Sequence, residues 1–103
     1  MIQSIKRIED IANLSTTPVA MVIAKTKMCS VCAPVAKRLI EEMADYPTVP
    51  LYEVYIEDVP AFRGQYMVFT VPTILLFFEG KEIHRESRFI DFNRIHSLLS
   101  KIL

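Results

Sequence analysis

Two cysteines, Cys29 and Cys32, are the only thiols in the chain, and they lie three residues apart. A thiolate attacks a disulfide, so such a pair can exchange two electrons with a partner disulfide. The same thiols could instead form half of a structural zinc site or lie inert in the core. An unbroken apolar segment, 19–24, precedes the pair and an amphipathic segment, 33–45, follows it. This placement at a strand-to-helix junction favours exchange chemistry.

A metal site would need more ligands than the two cysteines provide. His84 and His96 are distant in sequence, and we expect them on the surface of a hairpin and of the last helix. A zinc or iron–sulfur site would therefore require a dimer. We expect no metal and assign the histidines no role.

The segments around the cysteines predict a strand–helix–strand unit. Residues 19–24 lack any polar side chain, as in a strand covered on both faces at the centre of an α/β sheet. Polar residues 25–28 form an irregular link, and a helix is expected from about residue 29 to residue 45. Residues 51–56 are rich in β-branched and aromatic side chains and predict a second strand. The two strands should be parallel with a right-handed crossover.

The remaining segments predict a hairpin followed by a helix. Residues 57–65 should form a short helix or loop, in which Pro60 suits the first position of a helix. Residues 74–78 and 81–87 flank a Glu79-Gly80 turn and predict an antiparallel pair of strands. Asp91 should cap a C-terminal helix. Residues 1–14 predict either a helix capped by Ser4 or a short edge strand.

Length and composition limit the classes of function. A chain of 103 residues, 51% hydrophobic, predicts one domain over residues 1–103. The 12 basic and 12 acidic residues balance, which argues against a nucleic-acid partner. No apolar run approaches the roughly 18 residues of a membrane span, and the N-terminus lacks a signal-peptide pattern. We therefore expect a cytoplasmic protein, where a paired cysteine motif indicates redox chemistry.

The whole order of elements resembles the thioredoxin family. Three features carry the resemblance. Cys29-x-x-Cys32 lies at the start of the first long helix, and Val71-Pro72-Thr73 lies at the start of the hairpin, forty residues after the second cysteine. Glu79-Gly80-Lys81 joins the two strands of that hairpin. The resemblance implies an α/β, thioredoxin-like fold with a central mixed β-sheet of four or five strands flanked by helices. It covers nearly the whole chain.

The sequence departs from the family pattern beside the cysteines. Thioredoxins typically carry Trp-Cys-Gly-Pro-Cys, whereas Met28 precedes the first cysteine here and Ser30-Val31 separates the two. The buried acid that thioredoxins place six residues before the first cysteine is replaced by Ile23. The family's late glycine has no counterpart between Ser87 and Ile90. These changes support an alternative, a thioredoxin-fold binding module whose cysteines act as a redox-sensitive latch.

The resemblance implies a role for each site residue. Cys29, the more exposed thiol near a helix N-terminus, would attack a protein disulfide, and Cys32 would resolve the mixed disulfide. The substrate segment would bind along Met28 and Val71-Pro72-Thr73, with Pro72 in the cis form. Electrons would come from a thioredoxin reductase or a small thiol, and no cofactor is expected.

Two groups could assist the thiols. Glu53 is the candidate proton acceptor for Cys32, although glutamates are more often solvated on the outer face of a half-buried strand. Lys27 could favour the Cys29 thiolate by its charge. An apolar collar around the cysteines is predicted to consist of Met28, Tyr66, Met67 and Phe69.

Overall fold

The computed structural model describes residues 2–103 as alternating strands and helices. Short 3-10 helices cover Ile8–Ser15 and Met43–Asp45. The main elements are β1 (Ile2–Ile5), β2 (Val19–Lys25), α1 (Cys32–Glu42), β3 (Leu51–Tyr55), α2 (Pro60–Tyr66), β4 (Thr73–Phe78), β5 (Lys81–Ser87) and α3 (Phe92–Ile102).

The five strands form one mixed sheet in the order β1-β3-β2-β4-β5. β3 is parallel to both β1 and β2, whereas β4 is antiparallel to β2 and β5. All seven residues of β2 are buried, because the strand is central and covered on both faces. The expected fold class, a mixed sheet flanked by helices, is confirmed.

Each face of the sheet carries its own hydrophobic core. Alternate residues of β2, beginning with Val19, pack with Leu39 of α1 and Leu99 of α3. The intervening residues pack on the other face with Phe62 of α2 and Leu14 of the first 3-10 helix. This period-two division places α1, which begins at Cys32, on the same side of the sheet as Ile23.

The hairpin turn has the backbone that its sequence predicts. Glu79 and Gly80 both have positive φ, 52° and 82°, as in the tight turns that match the twist of paired strands. A Cβ atom at position 80 would lie 3.0 Å from Cβ of Ser15. Glycine is therefore favoured here by its backbone conformation and by a close neighbour.

Several predicted boundaries are wrong. Of the two alternatives for the N-terminal residues, the short edge strand is confirmed: Ser4 lies in β1 and caps no helix, and position 1 is outside the described residues. α1 begins at Cys32 rather than near Cys29, because residues 29–31 form a turn in which the Cys32 N–H donates to the Cys29 carbonyl at 3.4 Å. Lys25 belongs to β2 and is only 7% exposed, so it is not part of a solvated link.

Candidate active site

The two cysteines form a disulfide at the junction between β2 and α1. Their Cα atoms are 5.4 Å apart. Cys32 is the first residue of α1 and is 2% exposed, whereas Cys29 lies in the preceding turn and is half-buried. The predicted difference in exposure is therefore confirmed. An attacking thiol must be reached by its partner, which makes Cys29 the accessible member of the pair.

The start of α1 is short of free backbone donors, because the Cys32 N–H donates to the Cys29 carbonyl and Pro34 has no N–H. Val31 occupies the N-cap position and makes no side-chain capping hydrogen bond. The first N–H groups of a helix lack partners within the helix and favour negative charge nearby. Cys32 begins α1 and Cys29 lies three residues before it, so the helix dipole acts at short range on both sulfurs.

The Val71–Pro72 peptide bond is cis, as the family resemblance implied. Thr73 pairs with Ala24 in the β2–β4 ladder, so Pro72 lies at the end of β2 from which the chain continues to the cysteines. Pro72 is buried and Val71 is half-buried. The Val71 backbone is thus placed at the same end of the sheet as Cys29.

Thr73 holds this segment from within. It is 1% exposed, and its hydroxyl donates to the Thr70 carbonyl at 2.5 Å and lies 3.0 Å from Oγ of Ser87. On the other side, the Arg88 N–H donates to the Pro72 carbonyl at 3.1 Å. These hydrogen bonds fix the cis-proline segment between the start of β4 and the residues that follow β5.

Of the four residues predicted to form an apolar collar, three are exposed and one is not. Met28, Met67 and Phe69 are exposed, at 93%, 64% and 69%. Tyr66 instead packs into the core, with its ring centroid 4.7 Å from that of Phe62. The sequence analysis missed Phe89, whose 92% exposure is unusual for a phenylalanine.

Phe89 borders a groove that leads away from the cysteines. The groove has a volume of about 430 Å³ and lies between the first turns of α1, at Pro34 and Val35, and the segment before α3, which includes Arg88 and Phe89. Because Arg88 is hydrogen-bonded to Pro72, the groove adjoins the cis-proline segment. No signal in the sequence marked Phe89, because the family pattern has only a glycine in this region.

Glu53 is not solvated on an outer face. Its carboxylate accepts from Nζ of Lys25 at 2.8 Å and from Oγ of Ser4 at 3.0 Å, and its side chain is 19% exposed. Ile23 and Glu53 are partners in the β2–β3 ladder, so Glu53 lies beside the position where thioredoxins carry their buried acid. The ion pair explains how a carboxylate is accommodated there.

Lys27 is a surface residue with its own counter-ions. Its Nζ lies 3.0 Å from Oδ1 of Asp58, and its backbone N–H donates to Oε2 of Glu57. The hydrogen bond to Asp58 raises the pKa of the Lys27 ammonium. With a side chain 59% exposed, this cation is screened by solvent and acts weakly on the cysteines.

The histidines lie in hydrogen-bond networks away from the cysteine pair. His96 joins Oη of Tyr46 at 2.8 Å to Oε1 of Glu42 at 2.6 Å, between α1 and α3. His84 lies 2.5 Å from Oε2 of the buried Glu86. They lie on β5 and α3, as expected, with side chains that are partly exposed.

The described residues offer neither a metal site nor a membrane-spanning helix. Within residues 2–103, no group of three or more histidine, cysteine, aspartate or glutamate side chains is arranged to hold a metal ion. In the same range, no helix is both long enough and apolar enough to cross a membrane.

Curated relatives of the chain carry thioredoxin names. It is 35% identical over 74 residues to the thioredoxin-like protein YdfQ of Bacillus subtilis (strain 168), covering 72% of this chain and 66% of that protein. It is 34% identical over 73 residues to the thioredoxin of Chlamydia trachomatis serovar D, covering 71% of this chain and 69% of that protein. The chain thus matches about two thirds of the length of these relatives. No family model matches it.

A solved structure shares the fold over nearly its full length. Thioredoxin from Plasmodium falciparum superposes with a TM-score of 0.83 at 14% identity, covering 98% of this chain and 99% of that one. At such an identity the likeness concerns the fold alone.

Proposed function

The chain belongs to the thioredoxin family, and on that premise we propose that it is a thiol–disulfide oxidoreductase that acts on protein disulfides through Cys29 and Cys32. One observation carries the proposal: the two cysteines are bonded at the start of α1, with Cys29 accessible and Cys32 2% exposed. A thioredoxin-type redox function requires this asymmetry, because one thiol must attack the partner disulfide while the other stays buried until it resolves the mixed disulfide.

The exchange proceeds in two balanced steps. The Cys29 thiolate attacks one sulfur of the partner disulfide; a new S–S bond forms, the partner's bond breaks, and one partner thiolate leaves. The Cys32 thiolate then attacks Sγ of Cys29, and the second partner thiolate leaves. The partner gains two electrons and two protons, while Cys29 and Cys32 become a disulfide. A thioredoxin reductase or a small thiol would return the two electrons.

The substrate segment would dock across the end of the sheet. We assign the Val71 backbone to pair with an extended segment of the partner, as in β-augmentation. Met28 and Phe89 would cover that segment with apolar surface. Thr73 is buried with its hydroxyl already hydrogen-bonded, so its assigned role is to hold Pro72 rather than to touch the substrate.

Glu53 remains the proposed acceptor of the Cys32 proton, with a restricted route. Glu53 lines a cavity with Ser4, whereas the cavity that both cysteines line includes Lys25 and Tyr55. Because the Lys25 ammonium has no acceptor, a proton leaving Cys32 would reach the carboxylate through water. Glu53→Gln should slow the resolving step, because it removes the carboxylate that would accept the Cys32 proton.

A disulfide-reduction assay tests the proposal. Insulin would be offered with dithiothreitol as the electron source, and separately with a thioredoxin reductase and NADPH. The wild-type protein should accelerate the reduction over the uncatalysed rate with dithiothreitol. Cys29→Ser and Cys32→Ser should not, since each removes one of the two required thiols. An equal rate with and without the wild-type protein would contradict the proposal.

The binding-module alternative is favoured by a specific observation. Met28 and Phe89 are both more than 90% exposed, which is more apolar surface than exchange chemistry itself needs. A latch would bind its partner in one redox state without catalytic turnover. Absence of turnover, together with partner affinity that changes when the disulfide is reduced, would support the latch in place of the enzyme.

A further inference from the structure

Lys25 is a lysine buried beside the reactive cysteines. It ends β2, pairs with Tyr55 of β3, and is 7% exposed. Residues of β2 alternate between the two faces of the sheet, so Lys25 shares the face of Ile23, on which α1 lies. Lysine is seldom fully buried unless it is paired, and a paired lysine at this position requires an explanation.

The ion pair with Glu53 keeps Lys25 charged. Burial would lower the pKa of the Lys25 ammonium, but the hydrogen bond and the negative charge of Glu53 outweigh it and raise that pKa. Nζ also lies 4.8 Å from the centroid of the Tyr55 ring, whose face attracts a cation. At neutral pH a positive charge is therefore fixed at the end of β2.

The cation and its counter-ion face different cavities. Lys25, Cys29 and Cys32 line a cavity of about 200 Å³ together with Lys27 and Tyr55. Glu53 lines an adjoining cavity of about 370 Å³ with Ser4, and Lys27 and Tyr55 line both cavities. Of the two members of the ion pair, only Lys25 lines the cavity that both cysteines line. Charges separated by a partly buried cavity are screened less than charges in bulk water.

We propose that Lys25 is a positioning residue for the exchange reaction: its ammonium, oriented by Glu53, stabilises the thiolate of the reduced Cys29–Cys32 pair and makes the pair a stronger oxidant. The inference rests on the proposed function and adds a residue to it. When two glutathione molecules reduce the disulfide, they supply two electrons and form glutathione disulfide. The dithiol product then carries one thiolate, whose proton passes to solvent, and Lys25 favours that product.

The charged and titratable groups around the pair are few enough to separate by mutation. β2 and the following turn contribute Lys25 and Lys27, and β3 contributes Glu53 and Tyr55. The segment after β3 contributes Glu57 and Asp58 near Lys27, and Lys6 after β1 lines the cavity of Glu53. Lys27→Met is the matched control, because it removes a lysine from the same cavity at an exposed position.

The experiment measures alkylation of the reduced protein by iodoacetamide as a function of pH, and the equilibrium of the pair with glutathione. Lys25→Met should move the midpoint of the alkylation curve upward by about one pH unit, a tenfold loss of thiolate. It should shift the glutathione equilibrium about tenfold toward the protein disulfide, about 30 mV more reducing. For Lys25→Arg and Lys27→Met, the thiolate fraction and the glutathione equilibrium should stay within about twofold of the wild type. Lys25→Arg keeps the charge, and Lys27→Met removes a charge that solvent screens.

Two further measurements guard against a folding defect in Lys25→Met, which leaves Glu53 unpaired. Lys25→Met/Glu53→Gln contains no buried unpaired charge, and its curve should move in the same direction by a smaller amount. In the wild-type protein, the ¹⁵Nζ chemical shift of Lys25 should respond to thiol titration in the reduced form and stay constant over that pH range in the disulfide form.

The inference is overturned if the alkylation curves of Lys25→Met and the wild type superpose, or if Lys27→Met moves the curve as far as Lys25→Met does. It is also overturned if the ¹⁵Nζ chemical shift of Lys25 does not change as the thiols titrate. None of these measurements uses a protein substrate. Failure of insulin reduction would therefore refute the proposed function without deciding the role of Lys25, and the reverse also holds.

Discussion

Phe89 provides a strong test of where a partner protein docks. Its side chain is 92% exposed and borders the groove that begins at the first turns of α1. The neighbouring Arg88 N–H is hydrogen-bonded to the Pro72 carbonyl, so docking at Phe89 and pairing with Val71 would engage the same partner segment. Phe89→Ala should weaken reaction with protein disulfides and leave reaction with small disulfides unchanged.

The size of the effect follows from the exposed area. A phenylalanine side chain can bury about 200 Å², and a partner that covers half of it removes about 100 Å² from water. At about 25 cal/mol per Å², that burial contributes about 2.5 kcal/mol before the cost of ordering the partner. After the cost of ordering the partner, we expect Phe89 to contribute about 1.4 kcal/mol to docking. Its loss in Phe89→Ala corresponds to a tenfold decrease in kcat/KM for protein substrates.

The assay compares two substrates under single-turnover conditions. Reduced wild-type protein and Phe89→Ala would be mixed with insulin, and separately with a small aromatic disulfide that releases a coloured thiol. Leu103→Ala is the matched control: Leu103 is also an exposed apolar residue, at 56%, but it lies at the far end of α3. Urea unfolding should show Phe89→Ala within about 0.5 kcal/mol of the wild type, as for most surface substitutions.

Two results would refute this reasoning. Equal losses with insulin and with the small disulfide would show that Phe89 affects the cysteines rather than docking. Full activity of Phe89→Ala toward insulin would show that partners do not use this side of the site.

Three further substitutions test the fold. Leu39→Ala opens a void where α1 packs on the sheet, at a side chain with 0% exposure, and should lower the free energy of unfolding by about 2–5 kcal/mol in urea titrations. Gly80→Ala places a Cβ at φ 82° and 3.0 Å from Ser15, and should cost about 1–2 kcal/mol in the same assay. The pKa of the Glu42 carboxyl is lowered from 4.5, first by the hydrogen bond to His96 and then by that to Arg38. These hydrogen bonds therefore stabilise the fold above about pH 4.5, and that stabilisation is lost as the pH falls through the lowered pKa. The wild type should therefore exceed Glu42→Gln in urea midpoint near pH 6.5 and lose that advantage in acid; a difference that persists at pH 2 would contradict this assignment.

Local sequence was sufficient for much of the frame. Residues 19–24 predicted a central strand because every side chain is apolar, and β2 is indeed buried on both faces. The Glu79-Gly80 pair predicted the hairpin turn, and Asp91 caps α3 by accepting from the Arg94 N–H at 3.1 Å. Each of these features depends on neighbouring residues, which a sequence displays directly.

The charges of the site could not be assigned in the same way. Lys25 begins a polar run, Lys-Thr-Lys, that resembles a solvated link. Its burial depends on Glu53, which is distant in sequence and reaches Nζ only in the observed β2–β3 register. The exposure of Phe89 likewise depends on how the segment after β5 is tied to Pro72. Such pairings depend on tertiary structure, and no local pattern encodes them.

The most direct measurement of the central claim is a trapping experiment with Cys32→Ser. The reduced variant would be mixed with an excess of a protein disulfide, quenched in acid and mapped by mass spectrometry after digestion. The proposed chemistry predicts one mixed disulfide per molecule, bonded through Cys29, that persists because no resolving thiol is present. The parallel variant Cys29→Ser, whose remaining thiol is buried, should trap little. Equal trapping by the two variants, or none by Cys32→Ser, would contradict the assignment of Cys29 as the attacking thiol.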